Sequence, residues 1–337
     1  MQMLAASKDG ERDILFVVDP LEQLKPIKDS SIAMMRELSR RGNAIWVCTP
    51  DELTWESGSV RAAVHQIDLL AVSTSGSQAG AQSIDRSWYV ARGSCTRRLA
   101  SFRAVLMRKD PPFDAQYLYA THLLGDAARG GARVFNAPDA LRDHNEKLAI
   151  TEFSQFIPPT LVRCEPDEIL AFRQAQGEIV VKPLDAMGGR DVFRIGTGDP
   201  NTNVIVETST SYGTRTVMAQ RFVPEIAQGD KRILLIAGEP VPYALARVPK
   251  PGESRGNLAA GGTGRVQALS ARDRQIAQCL GPVLDQRGLL LVGLDVIGEY
   301  LTEINVTSPT CFVEIQQQSG FDVARAFVDA LEQRLGG

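Results

Sequence analysis

Two strongly apolar runs near the C-terminal end, residues 289–297 and 300–306, are joined by so short a link that they must form a hairpin. Each carries acidic or amide side chains where a buried strand should have none. A turn centred near Glu299 places Asp295 across from Glu303, and Asn305, two residues on, shares the face of Glu303. Alternating polar residues usually mark a solvated strand face. Here the flanking Leu, Val and Ile residues make unpaired carboxylates costly to bury without a cation. Two carboxylates and an amide form an all-oxygen donor set, which suits Mg²⁺ completed by water and phosphate oxygens.

Other segments fit a phosphate-bearing ligand. Lys182 lies inside the apolar strand EIVVKPL, on the side of Val180 and Leu184, where its ammonium must find an anion or reach outward. Gly188 and Gly189 follow at once and lead into another strand, as in a hairpin that brings backbone N–H groups up to phosphates. Neither a Walker loop nor a dinucleotide fingerprint is present. The stretch RVPKPGESRGNLAAGGTGR, residues 247–265, has no apolar period and reads either as a functional loop that orders on substrate or as a disordered segment. Its Arg247 and Arg255 suit bidentate grips on carboxylate or phosphate. Asp230 and Arg232 share one face of the strand DKRILLI, opposite Ile233 and Leu235. In the first third, Arg108 ends a strand, at the kind of position where α/β sheets bind ligands. Asp29 and Ser31, in KDSS, read either as a helix cap or as a substrate contact.

The chain of 337 residues is long enough for two or three globular units. Its first third alternates strands and helices, the pattern of a mostly parallel sheet, with Ser30 or Ser31 capping the first helix. Residues 66–101 read as a surface insertion or irregular region, with a polar stretch over residues 73–83. From residue 141 onward, strands joined by short turns predict antiparallel sheets with helices on one side, an α+β arrangement. A net charge of −3 gives no electrostatic case for nucleic acid. Five scattered cysteines without a CxxC pair, and only three histidines, argue against a disulfide framework and a zinc site and fit a reducing cytosol. With no apolar run long enough for a bilayer or signal peptide, no membrane partner is expected and the cytoplasm is the expected location.

Taken together, the strings VVDPLEQLKPIKDSS, LMRKDPPFD, NAPDALRDHNEKL, VVKPLDAMGG, MAQRFVPEI, GDKRILLI, ESRGNLAAGG and VGLDVIGEYLTEINVTSPT resemble the bacterial glutathione synthetases, a family of ATP-grasp ligases. The resemblance implies an N-terminal α/β substrate-binding domain over residues 1–140. It further implies a central lid domain over 141–223 and a C-terminal catalytic domain over 224–337, with a mobile loop at 248–264. It implies that Lys147 and Lys182 contact ATP phosphates beneath Gly188 and Gly189. Gln220, Phe222 and Val223 lie on the strand that meets adenine, and Asp230 contacts ribose. Asp295, Glu303 and Asn305 match the magnesium ligands, with Mn²⁺ as the alternative ion. Arg232 and Arg247 match arginines near the transferred phosphate and substrate carboxylate, and Arg255 and Asn257 belong to the closing loop. The implied substrates are ATP, γ-glutamylcysteine and glycine, and the expected assembly is a homo-oligomer. Residues 1–12 find no counterpart in the family pattern, 53–101 match it poorly, and Arg265 follows a Gly-Gly-Thr-Gly run where a basic residue is expected between the glycines. Alternatives are a ligase using another amine, such as β-alanine or serine, and a catalytically silent nucleotide-binding regulator.

Overall fold

The computed structural model describes residues 12–70, 88–253, 255–258 and 261–336. Contact density divides the chain into two compact units. One comprises residues 1–142, 287–290 and 307–337, the other residues 143–286 and 291–306.

The first unit is built on β1 (Asp13–Val17), α1 (Ser30–Arg40), β2 (Ala44–Cys48), β3 (Leu53–Glu56), β4 (Ser59–Leu69), β5 (Tyr89–Arg98), β6 (Ala104–Met107), α2 (Ala115–Arg129) and β7 (Val134–Phe135). A short helix, α3 (Pro138–Asp143), ends at the boundary with the second unit. Strands β2, β1, β6 and β7 run parallel, as the strand–helix alternation predicts. Ile14, Leu15, Phe16, Leu106 and Met107 are buried at the sheet centre, where continuous apolar runs are expected. The cap of α1 is Asp29 rather than Ser30 or Ser31: its Oδ1 accepts from the backbone N–H groups of Ser31 and Ile32, at 2.7 and 3.0 Å.

The expectation of an irregular segment at 66–101 is corrected by β4 and β5. They pair antiparallel from Arg61↔Arg98 to Leu69↔Tyr89, and β4 also pairs with β2 and β3. Val60, Ala62, Val64 and Ile67 on β4 turn inward, whereas β5 is exposed along most of its length. An edge strand without a buried face carries no alternating signal, which is why ARGSCTRR did not read as one. The polar stretch at 73–83 lies outside the described residues.

In the second unit β8 (Thr160–Arg163), α4 (Pro166–Gln176), β9 (Ile179–Pro183), β10 (Phe193–Ile195), α5 (Thr202–Ser209) and β11 (Val217–Arg221) form a four-stranded antiparallel sheet with two helices. Its core joins Ile169, Ile179, Val181, Ile195, Val206, Val217 and Ala219. Since side chains alternate along β9, burying Ile179 and Val181 in that core sends Val180 and Lys182 to the opposite face. A second sheet takes the order β14 (Thr263–Ala268), β13 (Glu239–Val248), β12 (Asp230–Ile236), β15 (Leu291–Ile297), β16 (Tyr300–Asn305). Helix α6 (Ala271–Gln286) buries Ile276, Ala277, Leu280 and Leu284 and packs on β12, β13 and β15. The segment 145–153 was expected to be helical; it is a 3₁₀ run, Leu148–Phe156, kinked at Phe153.

From Thr307 the chain rejoins the first unit through α7 (Phe312–Ser319) and α8 (Val323–Leu335). These helices pack on α1, where Arg41 grips Glu37, Asp329 and Glu332 at 2.8, 2.6 and 2.6 Å. Among the described residues no helix is long and apolar enough to cross a membrane.

Candidate active site

A row of charged residues crosses the five-stranded sheet. Arg232 of β12 stands opposite Asp295 of β15, which stands opposite Glu303 of β16. The last pairing depends on a bulge. The hairpin begins with Ile297↔Tyr300 and Val296↔Leu301, then skips Thr302 so that Asp295 meets Glu303. Without that extra residue Asp295 would face Thr302 and Glu303 would point into the core. The sequence did hold a signal for the bulge: Leu301 and Ile304 are buried three apart, against Val296 and Leu294 two apart on the partner strand.

Asp295 is held in a fork by Arg232, Nε to Oδ1 at 2.6 Å and Nη2 to Oδ2 at 3.1 Å. Arg247 adds a contact to Oδ2 at 2.9 Å and also grips Asp230, its neighbour across β12 and β13. Burial pushes the Asp295 carboxyl up, but the two guanidinium groups outweigh it and hold the group well below the usual carboxylate range. For Asp230 the balance goes the other way: burial dominates over Arg247 and pushes its carboxyl up to about 6. Its Oδ1 is buried with no hydrogen-bond partner among the described residues, and Asp230 lines the cavity described below.

Two lysines converge from the other elements. Lys147, just before the 3₁₀ run, reaches Glu303 Oε1 at 3.0 Å and donates to the carbonyl of Ala186 at 2.6 Å. Lys182 donates to Gln220 Oε1 at 2.6 Å. Burial pushes its ammonium pKa down, with Glu303 as the strongest opposing charge. Lys147, Lys182, Gly188, Gly189, Gln220, Phe222, Val223, Asp230, Arg255, Asn257, Asp295 and Glu303 all line one cavity of about 120 Å³. Arg232 and Arg247 support it from behind through Asp295 and Asp230. Asn305 lies one step along the sheet, opposite Gly293, to whose carbonyl its Nδ2 donates at 3.2 Å. That bond leaves the amide oxygen as its acceptor.

This donor set fits a hard divalent cation. Asp295, Glu303 and Asn305 offer oxygen only, and among the described residues no three of His, Cys, Asp or Glu form a metal-holding group. Two carboxylates and an amide leave room for water and phosphate oxygens, the usual remainder around such an ion.

The glycine turn closes the cavity from the lysine side. Gly188 and Gly189 have φ of 65° and 78°, in the left-handed region, and a Cβ on Gly189 would sit 2.7 Å from Asn257 Oδ1 and 3.2 Å from Arg255 Cδ. The turn and the loop residues Arg255–Asn257 therefore touch directly. The cavity they border measures about 120 Å³, below the several hundred Å³ usual for a ligand cleft. Gly189→Ala combines strain at positive φ with that contact and is expected to lower kcat/KM for ATP by about tenfold or more. Steady-state kinetics check this, and a variant within twofold of the parent would rule it out.

In the first unit, Asp29, Ser31 and Arg108 come together. Arg108, fully buried, donates from Nε to Ser31 Oγ at 3.1 Å and from Nη2 to the carbonyl of Pro309 at 2.9 Å. The cap reading of KDSS thus holds for Asp29, while Ser31 serves Arg108. Sequence reasoning missed part of the apolar cavity lining, including Pro158, Ile226 and Ile297, and, outside the lining, Thr160, which stands in register opposite Gln220.

Residues 13–142 match the family model of the prokaryotic glutathione synthetase N-terminal domain, and residues 146–320 match that of the prokaryotic glutathione synthetase ATP-grasp domain. A glutathione synthetase of Ralstonia nicotianae is 55% identical over 323 residues, 96% of each chain. Those of Bordetella parapertussis and Nitrosomonas europaea are each 54% identical, covering 96% of this chain and 99% and 98% of theirs. Among solved structures, the D-cycloserine synthetase DcsG superposes with a TM-score of 0.64 at 16% identity, covering 96% of this chain and 99% of its own. The ATP-grasp ligase PsnB, complexed with minimal precursor, Mg and ADP, gives 0.60 at 16% identity, covering 98% of this chain and all of its own. The fold is ATP-grasp, and the chain belongs to the prokaryotic glutathione synthetase family, whose activity, ATP-dependent synthesis of glutathione with a divalent metal, it shares.

Proposed function

We propose that the chain activates the C-terminal carboxylate of γ-glutamylcysteine with ATP and passes the acyl group to glycine. A carboxylate oxygen attacks the γ-phosphorus, the bond to the β-phosphate bridge breaks, and ADP leaves. The glycine amine then attacks the acyl phosphate carbon, phosphate departs with the C–O bond electrons, and the amine proton passes to solvent. The observation that carries this reading is the convergence in one cavity of two lysines, a paired Asp295 and Glu303, and a glycine turn.

In this reading the four-stranded sheet is the lid and the five-stranded sheet the catalytic platform. Lys147 and Lys182 neutralise the β- and γ-phosphates, with Gly188 and Gly189 offering backbone N–H groups. Gln220, Phe222 and Val223 border adenine, and the unpartnered Oδ1 of Asp230 accepts from a ribose hydroxyl. Asp295, Glu303 and Asn305 hold Mg²⁺, or Mn²⁺ in its place, which when bound spreads the negative charge of the phosphates. Arg232 and Arg247 fix Asp295 and bring positive charge toward the transferred group, while Arg255 and Asn257 exclude water from the acyl phosphate. In the first unit Arg108 and Ser31, positioned by Asp29, bind the dipeptide.

The test is phosphate release from ATP with Mg²⁺, γ-glutamylcysteine and one of glycine, β-alanine or serine. Turnover with glycine is expected. Turnover with another amine but not glycine would overturn the acceptor, and binding of ATP without turnover on any amine would favour a silent regulator.

A further inference from the structure

Lys182 is a half-buried ammonium on an antiparallel sheet, and it donates to a side-chain amide oxygen. An amide can present either oxygen or NH₂, and only oxygen accepts from an ammonium. Gln220 is itself almost wholly buried, so water cannot settle its orientation. Its Nε2 donates to Thr160 Oγ1 at 3.0 Å, across the β11–β8 pair in which Gln220 and Thr160 are opposite neighbours. A threonine hydroxyl has a single proton, and here it goes to the carbonyl of Pro158 at 2.7 Å. Thr160 Oγ1 is therefore an acceptor toward Gln220. The chain of bonds runs one way, from Lys182 through Gln220 and Thr160 to Pro158, and each end independently demands the same amide orientation.

We propose that Thr160 is a positioning residue for Lys182: its hydroxyl locks the Gln220 amide so that an oxygen faces the ammonium and holds it in the nucleotide cavity. A reversed amide would set NH₂ against the ammonium and displace it. The inference rests on the reading of Lys182 as an ATP-phosphate contact, and it adds a residue with no contact of its own to the phosphates.

Thr160→Val keeps the side-chain shape and removes both the acceptor and the donor. It is expected to raise KM for ATP about five- to tenfold, the effect of one oriented hydrogen bond, with kcat and KM for glycine within about twofold of the parent. Thr160→Ser, which keeps the hydroxyl, restores KM for ATP to within about twofold. The proposal is overturned if valine leaves KM for ATP unchanged, if serine behaves as valine does, or if the constants for ATP and glycine rise together. Lys182→Met separates the two levels. If it raises KM for ATP and Thr160→Val does not, the positioning role alone fails; if it leaves KM for ATP unchanged, the phosphate reading fails and the positioning role with it.

Discussion

Glu303→Gln is expected to reduce kcat by about 10²–10³-fold or more while the chain stays folded. The carboxylate is placed by a bulge beside Asp295, and glutamine preserves its volume while removing the charge that a divalent cation and Lys147 require. Its side chain keeps about 23% exposure, so the loss of pairing with Lys147 is cushioned by solvent and costs about 1 kcal/mol or less. Lys147 retains its bond to the Ala186 carbonyl. Circular dichroism and thermal melting should therefore match the parent where turnover does not. Normal turnover of the variant would show that Glu303 holds neither cation nor lysine during catalysis.

Much of this site was legible because its chemistry conflicts with its surroundings. Asp295 inside LLLVGLDVI and Lys182 inside EIVVKPL are charges on buried strands, and such charges need partners. What the sequence could not supply was who those partners are. Asp295 was read as a ligand facing phosphates, and the structure adds that two arginines from β12 and β13 already grip it. That arrangement depends on register across three strands, which local pattern does not encode. The parallel half of the first sheet was readable from apolar runs, whereas β5 was not, because it buries no face. Helix α7 escaped notice for a related reason: it buries only Phe312 and Ile315, too few to set a helical period. The return of α7 and α8 to the first unit is a long-range contact, fixed by side chains such as Arg41 whose three carboxylate partners are split between α1 and α8.

Asp295→Asn should behave quite differently from Glu303→Gln, although the two residues are neighbours across one strand pair. Asp295 is about 2% exposed and is the shared counter-ion of Arg232 and Arg247, themselves almost fully buried. Asparagine can still accept a hydrogen bond, but it removes the carboxylate charge that faces both buried guanidinium groups. Removing one member of a buried ion network typically costs about 3–5 kcal/mol, because the remaining charges stay desolvated. That is a large share of the roughly 5–15 kcal/mol by which a domain is stable. The variant is therefore expected to lose activity and to melt well below the parent, with a lower denaturant midpoint measured by the same circular dichroism signal. Adding Arg232→Met to Asp295→Asn removes the guanidinium that faced the lost carboxylate and should recover part of the lost stability, though none of the activity; recovery beyond additivity is the mark of a coupled pair. An Asp295→Asn protein as stable as the parent would mean that the arginines do not depend on this carboxylate, and the row Arg232, Asp295, Glu303 would then be a binding surface without a structural role.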